Sequence, residues 1–481
     1  MFPWQSLADC ERVALREGTD RVLTWRQLNQ QLNQLTQSLT ELGVTAGSGF
    51  ALCGKNSLDL LLYYLAGLQL NARVLGINPA FSDAKVRSIC KENQIDFLFS
   101  SIPFTGENAY KAGEGKFLHC KISKEQGDVL SFLLRKCVVF SPASPVNRKG
   151  ATLTLTSGSS GSPKAVVHTI DAHLANAQGV CELTQFQPHN SWLLSLPLYH
   201  VSGQGIVWRW LLSGAELHLP GDDFYASVLN ATHVSLVPTQ AQRLLQYIES
   251  HKISQFRTAH ILLGGTLIPV ELTQKLTALG IQSYTGYGMT EMASTVFAKI
   301  SDGKKGVGQA LRGREYRLVN DEIWLRGAGL ADGYWQNGKI VSLLNEQGWF
   351  QTKDKGYWFD DELIVIGRVD NMFISGGENI QPEEIEAVIQ QYELVRQAFV
   401  LPIDDSEFGQ RPVAFVAFSQ TFSAELTSQL QKWLSDKIEK FKQPVAYYAL
   451  NVEQYQQQGN IKISRQLLKN ELNKIREQTN E

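Results

Sequence analysis

An α/β fold is predicted for this 481-residue chain on three grounds. Helical and strand-like patterns alternate through most of it, residues 306–358 turn to short β-runs, and the alternation restarts after residue 370. Trp25–Leu42 repeats Leu28, Leu32, Leu35, Leu39 and Leu42 at helical spacing and stops at Gly43. Phe50–Cys53 reads as a strand, Leu58–Leu70 as a helix, Arg73–Ile77 as a strand, Asp83–Asn93 as a helix and Phe97–Ser100 as a strand. Such alternation predicts a largely parallel sheet with helices packed on it. Residues 101–150 are less periodic and rich in loops. The pattern resumes with strand-like runs at Ala151–Leu155 and Ala165–His168, a helix at Thr169–Cys181, a strand at Trp192–Leu196 and a helix at Gly205–Leu212. Strands at Glu216–Leu219, His233–Val237 and His260–Leu263 follow, with a helix Thr239–His251 between the last two. Gly306–Trp358 is rich in glycine and aromatic residues, as in a small antiparallel sheet. Beyond Gly367–Asp370 come a helix Glu383–Gln391, strands Ala398–Leu401 and Val413–Ser419, and a helix Ala424–Lys440. They make a C-terminal α+β unit of about 110 residues, an ordinary domain size. The expected division is a large domain over 1–367, a hinge at 368–370 and a small domain over 371–481.

Composition narrows the function classes. The chain is too long for a single core. Its 45 basic and 47 acidic residues leave a net charge of −2, no field for nucleic acid or an anionic membrane. The six cysteines form no Cys-x-x-Cys pair, which argues against a zinc site and for a reducing cytoplasm. The start, Met1-Phe-Pro-Trp-Gln-Ser, lacks the basic-then-apolar pattern of a signal peptide. Leu58–Leu70, broken by Asp59 and Gln69, is too short to span a bilayer. The expectation is a cytoplasmic enzyme with small-molecule partners, to which a homo-oligomeric state is open.

The most informative stretch is Thr156-Ser157-Gly158-Ser159-Ser160-Gly161-Ser-Pro-Lys164, between two β-like runs. Glycines let backbone amides turn toward phosphate oxygens, hydroxyls add neutral donors, and Lys164 adds a point charge. The spacing differs from the common NTP-binding loop, which has four residues between its glycines and then Gly-Lys-Ser/Thr. Tyr287-Gly288-Met289-Thr290-Glu291 follows a strand at Gln282–Thr285; Glu291 either holds a magnesium ion beside phosphate or caps a helix. Phe350–Gly356 ends a strand-like run in Asp354, where an acid accepts ribose hydroxyls or simply closes a turn.

These segments, with Gly367-Arg368-Val369-Asp370-Asn-Met-Phe-Ile-Ser375-Gly376-Gly377-Glu-Asn-Ile380, stand in the order seen in the adenylate-forming superfamily, which the chain resembles over nearly its whole length. Leu23–Leu28, Asn78-Pro79, Pro197-Leu-Tyr-His200, Gly333-Tyr-Trp335 and Phe441-Lys-Gln-Pro444 add to the likeness. One departure is Lys353, where the family often has glycine between threonine and aspartate. The resemblance implies a large N-terminal domain of stacked mixed sheets with packed helices and a small β subdomain, plus a small mobile C-terminal domain. It implies a two-step reaction: a carboxylate and ATP give an acyl-adenylate and pyrophosphate, and CoA then displaces AMP. It also implies that Thr156–Lys164 clasps the β- and γ-phosphates, that Tyr287–Thr290 lines adenine and the α-phosphate, and that Glu291 binds Mg2+. Asp354 and Arg368 would hold the ribose, Asp370 would be the hinge, and Ser375, Gly376 and Gly377 would reach the CoA tunnel. Lys462 in Gly459-Asn-Ile-Lys-Ile-Ser-Arg465 fits the family's catalytic lysine, and Lys442 is the other candidate. With His200 and Thr290, Lys462 completes the catalytic group that the likeness implies.

The acid is addressed by His200-Val-Ser-Gly-Gln-Gly-Ile-Val-Trp-Arg-Trp-Leu211. Ser202, Ile206 and Arg209 share one face if this segment is helical. Arg209 lies in an apolar run, so it needs an anionic partner: a protein carboxylate or a substrate carboxylate. The segment resembles that of the 2-succinylbenzoate–CoA ligases of menaquinone biosynthesis. That likeness implies that Arg209 holds one carboxylate of a dicarboxylic aromatic acid while the other is activated. Ser202, Gln204 and Gly205 would line the acid, His200 would stand at the pocket mouth, and Gly264 and Gly265 would give the aromatic ring and adenine close access.

Overall fold

The computed structural model describes residues 2–18, 21–101, 115–117, 137–140, 151–156, 164–375, 378–405, 408–457 and 463–479. Two compact units emerge: one of 1–315 with 326–349, the other of 316–325 with 350–481.

The first unit is built on two mixed nine-stranded sheets. One runs, in spatial order, Gln309–Ala310, Ser294–Ile300, Gln282–Met289, His260–Leu263, His233–Leu236, Ser191–Leu193, Glu216–Leu219, Val13–Glu17 and Arg21–Thr24. The other runs Lys339–Val341, Gly333–Gln336, Lys164–Thr169, Ala151–Thr156, Arg73–Ile77, Gly49–Cys53, Phe97–Ser100, Cys137–Phe140 and Gly115–Phe117. The largely parallel expectation holds at both centres and gives way to antiparallel pairing at the flanks. Central strands such as Gly49–Cys53 are buried along their whole length, as strands covered on both faces must be.

Helix Leu58–Gln69 is the apolar stretch judged too short for a membrane. Ser57 caps it, accepting from the amide of Leu60 at 3.2 Å, and nearly every side chain is buried. It is a core helix, and no helix among the described residues is long and apolar enough to cross a bilayer.

Two expectations are corrected. Gly333–Gln336 does not belong to the small antiparallel sheet but adds to a nine-stranded one, pairing with Lys164–Thr169. The helix starting after His200 opens earlier than its apolar run, at Val201, and runs to Ser213. Gly214, at φ 61°, ends it in the left-handed region that glycine enters freely.

The second unit holds a four-stranded sheet, Arg314–Val319, Glu322–Gly327, Phe350–Phe359 and Glu362–Arg368, whose first and second strands begin and end in the first unit. It also holds the sheet of Glu378–Ile380, Phe373–Ser375, Gly409–Phe418 and Val395–Asp405, with Tyr447–Ala449 beside it. Helices Pro382–Ile389 and Ala424–Ser435 pack their apolar faces onto the latter sheet. Residues 368–370 lie inside the second compact unit. Within the second unit, the Gln381 amide donates to the carbonyl of Arg368 at 3.0 Å and ties the small sheet to the C-terminal fold.

Candidate active site

In the first unit, the parallel strands His233–Leu236, His260–Leu263 and Gln282–Met289 lie side by side, so their carboxyl ends open at one edge. Open α/β sheets bind ligands at such edges. Gly264 and Gly265 follow the middle strand, Gly265 at φ 99°. Tyr287, Gly288 and Met289 finish the third strand, and Thr290 and Glu291 form the 3-10 turn beyond it. Gly288 has no alternative there. A Cβ would stand 2.1 Å from the carbonyl oxygen of Ser294, across a hairpin that closes through Ala293 at φ 56°.

Thr156 and Lys164 end two antiparallel strands in register with each other, and the Thr156 hydroxyl donates to the Lys164 carbonyl at 3.3 Å. The loop they bracket, with Ser157, Gly158, Ser159, Ser160 and Gly161, lies outside the described residues. Lys164 is exposed, its Nζ 5.2 Å from the ring centre of Tyr334. The Tyr334 hydroxyl donates to Glu291 Oε1 at 2.8 Å.

Arg209 is 1% exposed within helix Val201–Ser213. Among the described residues no carboxylate pairs with it. Nη1 donates to Ser235 Oγ at 3.3 Å and Nη2 to Ser294 Oγ at 3.4 Å, both long contacts, while Nε has no partner. The guanidinium lies 4.9 Å from the ring centre of Trp192. Burial pulls its pKa down to about 10, so it is still a cation at neutral pH. Gly205 makes the room: a Cβ there would meet Arg209 Nη2 and Ser294 Oγ at 3.2 and 3.1 Å. Nearby histidines add no charge. Burial lowers His168 to about 4 and holds His173 well below its usual range; His173 shares a hydrogen bond with Thr152 at 2.7 Å and stacks on Trp208.

The other acid-pocket candidates separate by role. His200 is the half-buried N-cap residue of the helix, and Ser202 sits half-buried in its first turn. Gln204 is engaged within the fold. Its carboxamide is 1% exposed, accepts from Thr154 at 3.1 Å and donates to the carbonyl of Leu198 at 3.3 Å.

In the second unit, Asp354 does not end a strand; Phe350–Phe359 runs through it and sets it opposite Arg368. Arg368 Nη1 donates to Asp354 Oδ1 at 3.1 Å, and its Nε and Nη2 grip Asp370 at 2.8 and 3.0 Å. Burial opposes ionisation of Asp370, yet these bonds hold its carboxyl below the usual range. Lys353, where the resemblance would place glycine, adopts φ 63°, in the left-handed region that glycine enters freely. Ser375 is buried at the end of its strand; Gly376, Gly377 and Lys462 lie outside the described residues. Lys442 faces Glu439 at 3.2 Å and Glu384 at 3.7 Å, a structural setting. Arg465, three residues beyond Lys462, reaches Glu386 at 2.7 Å, Glu383 at 3.1 Å and the Val400 carbonyl at 2.6 Å.

Sequence reasoning missed Ser235, Ser294, Trp192 and Tyr334. A serine inside the apolar strand His233-Val-Ser-Leu was the one local signal.

The family model of the AMP-binding enzymes matches residues 2–335, and that of the AMP-binding enzyme C-terminal domain matches 384–457. The chain is 54% identical to a 2-succinylbenzoate–CoA ligase of Haemophilus influenzae, over 97% of this chain and 98% of the relative. It is 42% identical to the enzyme of that name from Escherichia coli, over 97% of each. Among solved structures, a variant of Escherichia coli MenE with bound OSB-AMS superposes with a TM-score of 0.81, at 40% identity and 98% coverage of both chains. The Bacillus subtilis o-succinylbenzoate CoA synthetase in complex with OSB-AMP shares the fold, with a TM-score of 0.78 at 23% identity, over 94% of this chain and 95% of that one.

Proposed function

The chain belongs to the AMP-binding enzyme family, and we infer from that premise that it is an AMP-forming acid–thiol ligase joining 2-succinylbenzoate to CoA. ATP and CoA are its co-substrates, and 2-succinylbenzoyl-CoA, AMP and pyrophosphate its products, a step of menaquinone biosynthesis. The reaction is placed in the cytoplasm, and its partners are these small molecules.

One observation carries the substrate reading: Arg209, a buried cation with no carboxylate among the described residues. An unpaired buried charge costs several kcal/mol, so the site calls for an anion from outside. A fatty acid has none to spare after activation. A dicarboxylic aromatic acid does, and guanidinium takes a carboxylate in bidentate fashion. The benzoate carboxylate goes to Arg209, with Ser202 and Gly205 beside it and His200 at the mouth. The succinyl carboxylate is left to attack.

In the first half-reaction a carboxylate oxygen forms a bond to the α-phosphorus, and the bond to the bridging oxygen breaks to release pyrophosphate. Both reactants are anions, so positive charge must meet the charge that builds on the phosphates. Lys164 supplies part of it, with the loop from Thr156 cradling the β- and γ-phosphates. Lys462 acts at the α-phosphate, Thr290 beside it. Tyr287, Gly288, Met289 and Gly265 border adenine, with Gly264 against the aromatic ring, while Asp354 and Arg368 take the ribose. Glu291 suits magnesium: it offers hard oxygen donors, and one protein carboxylate plus phosphates is how this ion is commonly held. Bound there, the ion would neutralise phosphate charge. In the second half-reaction the CoA sulfur attacks the acyl carbon and AMP leaves. Ser375, Gly376 and Gly377 are assigned to the pantetheine path, and Asp370 to the pivot that separates the two steps.

The test is AMP formation with 2-succinylbenzoate, ATP and CoA, beside benzoate and cinnamate as monocarboxylic controls. Turnover of the controls as efficient as that of 2-succinylbenzoate would refute the role given to Arg209.

A further inference from the structure

Strand Gly333–Gln336 carries a residue for which the reaction scheme above has no use. We propose that Tyr334 is a positioning residue of the adenylation step, holding Glu291 and Lys164 apart and aiming both. The inference rests on the reading of Glu291 as the magnesium carboxylate and Lys164 as a phosphate cation.

Register makes the arrangement. Tyr334 pairs with Val166 and Trp335 with Ala165 in antiparallel alignment. Lys164 lies two positions from Val166, so it shares the face of Tyr334 as a diagonal cross-strand neighbour. Trp335 points the other way into the core, 4% exposed, and fixes which face Tyr334 presents. The chain before it is pinned twice: the Ala331 amide donates to the Glu291 carbonyl at 2.8 Å, and the Asp332 amide to the Val167 carbonyl at 2.9 Å.

The chemistry follows from two ends of one side chain. The phenol hydroxyl holds Glu291 Oε1, which fixes the carboxylate rotamer and leaves Oε2 to face a cation. The ring face attracts the Lys164 ammonium 5.2 Å away. No ion pair joins Lys164 to Glu291 among the described residues, although both come to one tyrosine. Without the ring between them, the two charges are free to neutralise each other and withdraw from the nucleotide.

The experiment uses full-length Tyr334→Phe, Tyr334→Leu and Glu291→Gln proteins with two readouts. The first is the magnesium concentration giving half-maximal ATP–pyrophosphate exchange; the second is thermal stabilisation by ATP with and without magnesium. Tyr334→Phe is expected to raise half-saturating magnesium roughly fivefold to tenfold, the net worth of one ordinary hydrogen bond. It should shrink the magnesium-dependent part of the thermal shift, yet leave CoA attack on supplied 2-succinylbenzoyl-adenylate unchanged. Tyr334→Leu should in addition weaken ATP binding in the absence of magnesium, by roughly threefold. Wild-type magnesium dependence in Tyr334→Phe, alongside a shifted Glu291→Gln, overturns the inference alone. Wild-type dependence in both variants refutes the reading of Glu291 and takes the inference with it. Equal loss of both half-reactions with a lowered melting temperature marks a structural tyrosine and also overturns it.

Discussion

Two arginines, Arg209 in the first compact unit and Arg465 in the second, receive opposite treatment. Arg465 is met by Glu383, Glu386 and a carbonyl, so its charge is closed within the protein. Arg209 is more deeply buried, and among the described residues its guanidinium meets two hydroxyls at long range and the face of Trp192, but no carboxylate. Arg314, also buried, shows that a cation can live without acids: it donates to the carbonyls of Ala175, Arg312, Asn176 and Thr295. Arg209 has neither solution. Burial depth alone therefore says little about function, and the identity of the partners says much.

The sharpest way to break this contrast is to remove each guanidinium. Arg465→Ala should cost about 3 kcal/mol of stability, because Glu386 is left buried and uncompensated. Denaturant unfolding measures it, and the KM for 2-succinylbenzoate should stay within about twofold. Arg209→Ala should do the reverse. Its KM for 2-succinylbenzoate should rise on the order of 100-fold, as loss of a charge-assisted pair implies, with the KM for ATP little changed. Its melting temperature should hold or rise, since a poorly compensated buried charge is gone. If Arg209→Ala unfolds the protein as Arg465→Ala does, the contrast fails.

Acidity gives a milder probe. Burial raises Glu386 to about 7 from 4.5, against the pull of Arg465. A carboxyl whose pKa is higher in the folded state stabilises that state while protonated. The contribution is full below pH 4.5, fades as pH rises toward 7 and is absent above it. Urea midpoints at pH 5 and pH 8 should differ by roughly 2 kcal/mol in stability, and Glu386→Gln should flatten the difference. The smallest effect concerns the hairpin that sets Asp354 opposite Arg368. Lys353→Gly should relieve a left-handed lysine and stabilise the second unit by roughly 1 kcal/mol in the same assay.

Much of this was legible from local pattern. The helix bearing Arg209, the strand before Tyr287 and the core helix at Leu58 all follow from residue periodicity, which is a property of neighbours in sequence. The question left open at Arg209 was not of that kind. Ser235 and Ser294 come from strands 26 and 85 residues away, and no local pattern specifies which strands will face a helix. The setting of Gln204 was hidden for the same reason, because Thr154 donates to its carboxamide oxygen from 50 residues upstream. The left-handed backbone at Lys353 was not legible either, because lysine, unlike glycine, carries no local signal of that conformation.

The hairpin from Tyr287 to Thr295 has a further consequence, through the clearance at Gly288. One arm of that hairpin carries Tyr287, Gly288 and Met289, and the other begins at Ser294, whose hydroxyl accepts from Arg209. With 2.1 Å between a would-be Cβ and the opposite backbone, neither arm can shift without moving the other. On the roles proposed for Tyr287–Met289 and Arg209, nucleotide grip and acid choice are mechanically joined, and a change in one is felt by the other. Relatives that accept a different acid should then differ in this hairpin as well as in the helix around Arg209.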